Sequence, residues 1–186
     1  MKIAVYGITR SGKTTFVNKC INHLNKTHNH ALHIKPSDIL FKIANDELNS
    51  KYYHTSEKNM NYIHTKYLKI INSLKYNAIF FDCHCAYWDK NWQLYSILSE
   101  IDIKGYDKFI YLNTDSKTIL TRLYLSDSSK HISGITLERI DKWKKYEISA
   151  LINILKPINK NLEIINKKLD EDTILNEIEN QMKVKM

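Results

Sequence analysis

The stretch Gly7-Ile8-Thr9-Arg10-Ser11-Gly12-Lys13-Thr14 decides the fold of this chain, because it matches the phosphate-binding pattern G-x-x-x-x-G-K-[ST]. The residues before it, 2–6, form a short β-prone run. The residues after it, 15–24, carry apolar side chains at helical spacing. A loop between a strand and a helix is the setting that this pattern requires, so the sequence predicts a site for the phosphates of a nucleotide.

Each residue type in the loop has a physical role in binding phosphate. Glycine lets backbone N–H groups turn towards phosphate oxygens, and the following helix adds partial positive charge at its N-terminus. Lys13 can reach the β- and γ-phosphates, and the Thr14 hydroxyl can ligate Mg²⁺. We therefore predict bound ATP and Mg²⁺, with these loop residues around the phosphates: Gly7, Arg10, Ser11, Gly12, Lys13, Thr14 and Thr15.

The length and patterning of the chain favour one α/β domain over residues 1–186. Strand-like and helix-like segments alternate without a repeat or linker, which predicts a mostly parallel five-stranded sheet with helices on both faces. No run approaches the roughly 20 apolar residues of a membrane span. The first residues read as a strand and not as a signal peptide, and the chain has 3 cysteines. We expect a cytoplasmic protein, or a nuclear one if the source is eukaryotic.

The formal net charge of +8 has two explanations. One is a nucleic-acid or polyphosphate partner. The other, which we favour, is a Lys-, Asn-, Ile- and Tyr-rich composition of the kind that AT-rich coding produces. Of 28 basic residues, only Arg10, Arg122 and Arg139 are arginines. Because lysine cannot copy the bidentate grip of arginine on phosphate, each arginine is a candidate phosphate contact.

A second candidate site lies at the end of residues 77–82, which predict a central strand of a parallel sheet because an apolar run there ends in a carboxylate. Asp82 ends this run, and a carboxylate in that place holds the Mg²⁺ shell in phosphate-loop proteins. His84 is predicted to lie over the phosphates and orient a water or the transferred group, with a structural histidine as the alternative. Cys83-His84-Cys85 lacks the spacing and the second ligand pair of a structural zinc site, so we do not predict zinc.

The polar loop at about 126–134 lies between Arg122 and Arg139. This arrangement predicts a short lid that closes on the nucleotide and brings positive charge to the transferred phosphoryl group. Asp38 follows a predicted strand at 31–35, at the sheet edge where ligands bind in open α/β folds. It is either a contact or base for the phosphoryl acceptor, or a cap for the next helix.

In these motifs the chain resembles the small adenylate-kinase-like P-loop kinases, in particular the archaeal-type adenylate kinases and the nuclear adenylate kinases that double as ribosome-assembly ATPases. Besides the phosphate loop, Phe80-Phe81-Asp82-Cys83-His84 and residues 110–122 carry the resemblance. It implies a nucleoside monophosphate kinase that uses ATP and Mg²⁺, with an acceptor-binding part at 36–75 and Arg122 against the adenine or phosphates. The catalytic residues predicted from motifs and resemblance together are Lys13, Asp82, His84, Arg122 and Arg139.

Two departures from that family bear on the acceptor. The lid segment 126–131 has no arginine, and none occurs from Ser11 to Thr121, where such kinases hold the acceptor phosphate. Lys42 is a predicted substitute, with Lys58 and Lys66 as further candidates. A second hypothesis is therefore a kinase of a hydroxyl acceptor, which is a nucleoside, a small metabolite or a nucleic-acid 5′ end. A third is an ATPase switch in RNA–protein assembly.

Overall fold

The computed structural model describes residues 1–27, 29–52, 55–98, 100–125, 134–166 and 168–183. Its elements, in chain order, are β1 (Lys2–Tyr6), α1 (Lys13–Lys26), β2 (Ala31–Ile34), α2 (Pro36–Leu48), α3 (Glu57–Ser73), β3 (Ala78–Asp82), β4 (Ala86–Trp88), β5 (Leu94–Ser96), α4 (Glu100–Lys104), β6 (Lys108–Leu112), α5 (Ser116–Tyr124), α6 (Leu137–Leu155), β7 (Leu162–Ile165) and α7 (Lys168–Lys183). None of the helices within these ranges has the length and apolar character needed to cross a membrane.

The central sheet has five strands in the order β2-β3-β1-β6-β7, and every pairing in it is parallel. This confirms the predicted fold. The register aligns Val5 with Asp82 and with Ile110, so β1, β3 and β6 end at one edge of the sheet. Because the order of strands in the sheet places β1 in the middle, the loop that follows it lies at the centre of that edge.

Alternate residues of the strands pack on opposite faces of the sheet, as the two-residue period requires. Ala4, Phe81 and Tyr111 point into a core shared with α2, α3 and α6. Val5 and Phe80 point into a second core shared with α1 and α7. Both faces are therefore covered, which is why these strands appear in the sequence as continuous apolar runs and not as alternating ones.

Side-chain caps define the starts of three helices. Ser56, Asp115 and Thr136 each accept a hydrogen bond from a backbone N–H in the first turn of α3, α5 and α6 respectively. These caps satisfy donors that the first helical turn leaves without partners. The sequence predicts a helix from Ile39 to about Leu48, whereas α2 begins at Pro36, which suits a first helical turn because it has no N–H to satisfy.

The segment after β3 corrects one prediction. From the sequence alone, residues 93–99 are predicted to hold a short helix, whereas in the structure β4 and β5 form an antiparallel hairpin. The Asp89 carboxylate closes its turn by accepting from the N–H groups of Asn91 and Gln93 at 2.8 and 2.7 Å. Trp143 of α6 donates its indole N–H to the Ala86 carbonyl at 3.0 Å, which holds the hairpin against the domain. A turn closed by a local side chain and a contact with α6 therefore stabilise two strands where the sequence predicts a helix.

Candidate active site

The phosphate loop, residues 7–14, joins β1 to α1 as predicted. Gly7, Arg10 and Gly12 have positive φ values of 145°, 65° and 98°. A Cβ atom on Gly7 would lie 3.1 Å from the Leu112 carbonyl oxygen, so both the backbone angle and the space favour glycine there. Gly12 is the N-cap of α1, and the positive end of that helix therefore faces the loop.

Lys13 is held inside the loop by oxygen atoms. Its side chain is 6% exposed, and its ammonium donates to the carbonyls of Gly7 at 2.7 Å and Ile8 at 3.3 Å. Asp82 Oδ1 lies 3.9 Å from the same nitrogen. Burial lowers the pKa of Lys13, and the carboxylates of Asp82 and Glu147 oppose that shift. The ammonium is thus held by neutral carbonyl oxygens and a more distant carboxylate, and charged phosphate oxygens can replace the carbonyls as its partners.

Thr14 and Asp82, the two predicted Mg²⁺ ligands, are in direct contact. The Thr14 hydroxyl donates to Asp82 Oδ2 at 2.7 Å. The parallel register of β1 and β3 brings the two residues together, since it ends both strands at the same level. A hydroxyl and a carboxylate are hard oxygen ligands of the type that Mg²⁺ prefers, so the pair fits the predicted metal.

A cavity of about 670 Å³ beside the loop, which we call the phosphate cavity, has a strongly positive lining. Its described lining includes four cationic side chains and one carboxylate, namely Arg10, Lys13, Lys35, Arg122 and Asp82. Arg122 donates from Nη1 to the Arg10 carbonyl at 3.0 Å, which fixes the end of α5 against the loop. This excess of positive charge suits a polyphosphate ligand.

A second cavity of about 500 Å³, which we call the apolar cavity, lies between α2, α3 and the β4–β5 hairpin. Its lining is mostly aromatic and aliphatic, with a few uncharged polar groups and the carboxylate of Asp82. No lysine or arginine occurs among the described residues that line it. The predicted acceptor part, residues 36–75, contributes to this lining. Its described residues that line the cavity are Pro36, Ser37, Leu40, Phe41, Tyr52, Met60, Asn61 and His64.

Among the described residues, three line both cavities, namely Ser37, Asp82 and His84. The ring of His84 lies 5.3 Å from the ring of Tyr87, and its Nδ1 atom is buried with no hydrogen-bond partner in the described part of the chain. Burial, assisted by the nearby charge of Lys13, lowers the pKa of His84 to about 3. His84 is therefore neutral at physiological pH and can make hydrogen bonds at the junction without carrying charge there.

The predicted acceptor contacts Asp38 and Lys42 line neither cavity. Both are exposed on α2, and the Ser37 hydroxyl lies 3.5 Å from Asp38 Oδ1. Of the further candidates, Lys66 is paired with Glu47. The roles assigned to Asp38 and Lys42 stay predictions.

Arg139 also lies away from the phosphate cavity. Its guanidinium stacks 3.9 Å from the centre of the Trp92 ring and donates to the Gly134 carbonyl. It thus joins the start of α6 to the tip of the β4–β5 hairpin. The lid predicted at about 126–134 falls outside the described residues except for Gly134, so its closure on the nucleotide stays a prediction.

Three residues of the site were missed by the sequence analysis. Lys35, the residue after β2, lines the phosphate cavity. His33 Nε2 lies 4.0 Å from Asp82 Oδ2. Glu147 accepts from the N–H groups of Cys85 and Ala86. Only Glu147 had a usable sequence signal, because it is a carboxylate placed at helical spacing within the apolar stripe of α6.

Comparison with known proteins relates the chain to others through its fold. No protein-family model matches the sequence, and no curated protein does. A deoxyadenosine kinase from M. mycoides, with the products dCMP and dCDP, superposes with a TM-score of 0.53 over 100% of both chains at 18% identity. Shikimate kinase from Acinetobacter baumannii, in complex with shikimate, superposes with a TM-score of 0.54 over 99% of this chain and 93% of its own chain, at 13% sequence identity.

A third similar structure is the YorR protein from Bacillus subtilis in complex with phosphorylated GDP. It gives a TM-score of 0.52 over 100% of this chain and 97% of its own at 17% identity. These structures confirm the predicted P-loop kinase architecture. The finer resemblance to adenylate kinases stays a prediction. The chain therefore has the fold of the P-loop kinases.

Proposed function

We propose that this protein is an ATP- and Mg²⁺-dependent kinase that phosphorylates a hydroxyl group of a small uncharged acceptor, for which a nucleoside is the leading candidate. The distribution of cations carries this proposal. Four cationic side chains line the phosphate cavity, whereas the described lining of the apolar cavity contains no lysine or arginine. A monophosphate acceptor needs cationic partners for its own phosphate, and a nucleoside does not.

The apolar cavity also suits a nucleoside in size and chemistry. A volume of about 500 Å³ is within the usual range for small-molecule sites. Aromatic side chains such as Phe41 and Tyr52 offer faces for stacking on a base. Asn61 and His64, one turn apart on α3, supply polar groups that can orient it. Two proteins of the same fold are named for a nucleoside and for shikimate, which agrees with a small-molecule acceptor.

Catalysis in this proposal is positioning and neutralisation of charge. Lys13 and Arg122 bind the phosphates of ATP, and Lys35 adds a cation where the phosphate cavity approaches α2. Thr14 and Asp82 would hold Mg²⁺, which supplies neutralisation of the β- and γ-phosphate charge. His84 donates or accepts a hydrogen bond at the junction of the cavities.

Asp82 is the carboxylate that lines both cavities among the described residues. It is the best-placed group to accept the proton of the acceptor hydroxyl, although a loose phosphoryl-transfer transition state makes small demands on a base. Asp38, the base suggested by the sequence, is exposed and outside both cavities, so it is the weaker candidate.

The test is a panel of acceptors offered with ATP and Mg²⁺, with detection of the phosphorylated products. It contains deoxynucleosides and ribonucleosides, the matching monophosphates, shikimate and oligonucleotides with 5′-hydroxyl ends. We expect turnover of at least one nucleoside, and loss of that turnover in Lys13→Ala. Efficient phosphorylation of monophosphates without turnover of nucleosides would refute the choice of acceptor and favour the nucleoside monophosphate kinase predicted from the resemblance.

A further inference from the structure

The β4–β5 hairpin forms one wall of the apolar cavity. Tyr87 and Tyr95 are paired across the hairpin, their ring centres lie 6.5 Å apart, and both residues line the cavity. The ring of His84 continues this row, and Ser96 and Ile97 add to the same wall. The position of the hairpin therefore sets the shape of the cavity in which we place the acceptor.

The opposite side of the hairpin packs against α6. Neighbouring residues of a strand point to opposite sides, and Trp88, which follows Tyr87, lies with its ring centre 6.4 Å from that of Trp143 on α6. Trp92, in the turn of the hairpin, packs against Trp88 with ring centres 5.6 Å apart. These are all 3 tryptophans of the chain, so a single aromatic cluster joins the hairpin to α6.

Arg139, near the start of α6, extends this cluster over the turn of the hairpin. Its guanidinium carbon lies 3.9 Å from the centre of the Trp92 ring, and its Nη1 atom donates to the Gly134 carbonyl. A cation over the face of a tryptophan is attracted by the ring electrons. The flat guanidinium of arginine can stack on a ring and still donate a hydrogen bond sideways, whereas the ammonium of lysine cannot.

The backbone of the turn depends on contacts of this kind. Trp92 has a φ of 58°, which a bulky residue rarely adopts unless surrounding contacts hold it there. A Cβ atom on Gly134 would lie 3.4 Å from Arg139 Nη1 and 3.6 Å from Trp92 Cζ2, so the three residues are in close contact. Arg139 itself lines neither cavity. Its effect on the apolar cavity is therefore transmitted through the hairpin.

We infer that Arg139 is a positioning residue, which fixes the aromatic wall of the apolar cavity through Trp92 and so supports binding of the acceptor, and not transfer of the phosphoryl group. This inference rests on the proposed assignment of the apolar cavity to the acceptor. An acceptor that packs against Tyr87 and Tyr95 needs the hairpin in its docked position. Without the stacking contact, part of the binding free energy is used to dock the hairpin, and the acceptor binds more weakly.

The experiment measures KM and kcat at saturating ATP and Mg²⁺ with each member of the acceptor panel that the wild type phosphorylates. Arg139→Met removes the guanidinium but keeps an apolar stem, and Lys145→Met, at an exposed position of the same helix, is the matched control. In Arg139→Met we expect the KM of the acceptor to rise about three- to tenfold, as loss of a cation–π contact predicts. Its kcat and its dissociation constant for ATP should stay at the wild-type values, as should every parameter of the control.

Trp92→Asn removes the same contact from the side of the hairpin, and asparagine tolerates the positive φ. Because this variant also loses the packing on Trp88, its KM should rise at least as much, and adding Arg139→Met to it should raise KM no further. Amide hydrogen exchange gives a readout that does not depend on turnover. The N–H groups of Asp89 and Ile97, which are hydrogen-bonded in the hairpin segment, should exchange faster in both single variants than in the wild type.

A KM of Arg139→Met equal to that of the wild type overturns this inference alone. A fall in kcat of about 10³-fold or more at unchanged KM also overturns it, and favours the contact with the phosphoryl group that the sequence predicts for Arg139. Phosphorylation of monophosphates in place of nucleosides, with the same rise in KM, supports the inference and refutes the proposed choice of acceptor. If the wild type phosphorylates no member of the panel, the inference and the proposed function fail together.

Discussion

Replacing Asp82 with asparagine should change ATP binding and ATP turnover in different directions. Asp82 Oδ1 lies 3.9 Å from Lys13 Nζ, and the two side chains are only 8% and 6% exposed. With an effective dielectric constant of about 20, unit charges at this separation interact by about 4 kcal/mol. The same carboxylate repels the phosphates that Lys13 attracts. Without Mg²⁺, Asp82→Asn should therefore bind ATP at least as tightly as the wild type.

With Mg²⁺ the same substitution should impair turnover. Asp82 and Thr14 are the proposed metal ligands, and a bound metal contributes several kcal/mol to the stabilisation of transition-state charge. A loss of about 3 kcal/mol lowers kcat by roughly 150-fold. Binding is measured by calorimetry with ATP in EDTA and in excess Mg²⁺, and turnover by product formation with the best acceptor from the panel.

The control for this prediction is Asp107→Asn. Asp107 precedes β6 at the opposite edge of the sheet, where its Oδ2 atom accepts from the Lys2 N–H at 2.7 Å, and an amide oxygen can replace that acceptor. Both its binding and its turnover should match the wild type. The reasoning is wrong if Asp82→Asn turns over normally with Mg²⁺, or if it weakens metal-free ATP binding as strongly as Lys13→Ala does.

Three further predictions follow from the geometry. Lys35→Met should lower kcat about tenfold or more, because it removes one electrostatic contact to the transferred group. Lys42→Met, on the exposed face of α2, is the control and should leave kcat unchanged. Equal kcat values in the two variants would show that Lys35 has no role in the site. Gly7→Ala should lower the melting temperature by roughly 4–8 °C, because φ of residue 7 is positive and a Cβ atom there would lie close to the Leu112 carbonyl. Gly105→Ala is the control and should melt like the wild type. Equal melting temperatures for the two variants would contradict the loop geometry. His84→Gln should lower kcat but leave the pH dependence of kcat between about pH 5 and 8 unchanged, since burial lowers the pKa of His84 to about 3 and the ring is neutral in that range. A shifted pH dependence in the variant would show that His84 titrates during turnover.

The α/β fold was predictable because its signals are local. The phosphate loop fits G-x-x-x-x-G-K-[ST], and the apolar runs that precede Asp82 and follow Lys108 have the length of buried strands. These patterns place glycine, lysine and threonine correctly around a helix N-terminus before any tertiary contact is considered. The β4–β5 hairpin was missed because its turn depends on Asp89 and its stability on Trp143, which lies far away in the chain.

The sequence by itself predicts that Lys13, Thr14 and Asp82 come together as a candidate phosphate and metal site, because a strand, a loop and a helix fix the backbone there locally. The tertiary structure decided what surrounds it. Packing of α6 against the sheet buries Glu147 against the N–H groups of Cys85 and Ala86, and packing of α2, α3 and the hairpin forms a cavity whose described lining has no lysine or arginine. Contacts between distant segments have no periodic signature in the sequence, so the properties that bear on the acceptor emerge only when the chain is folded.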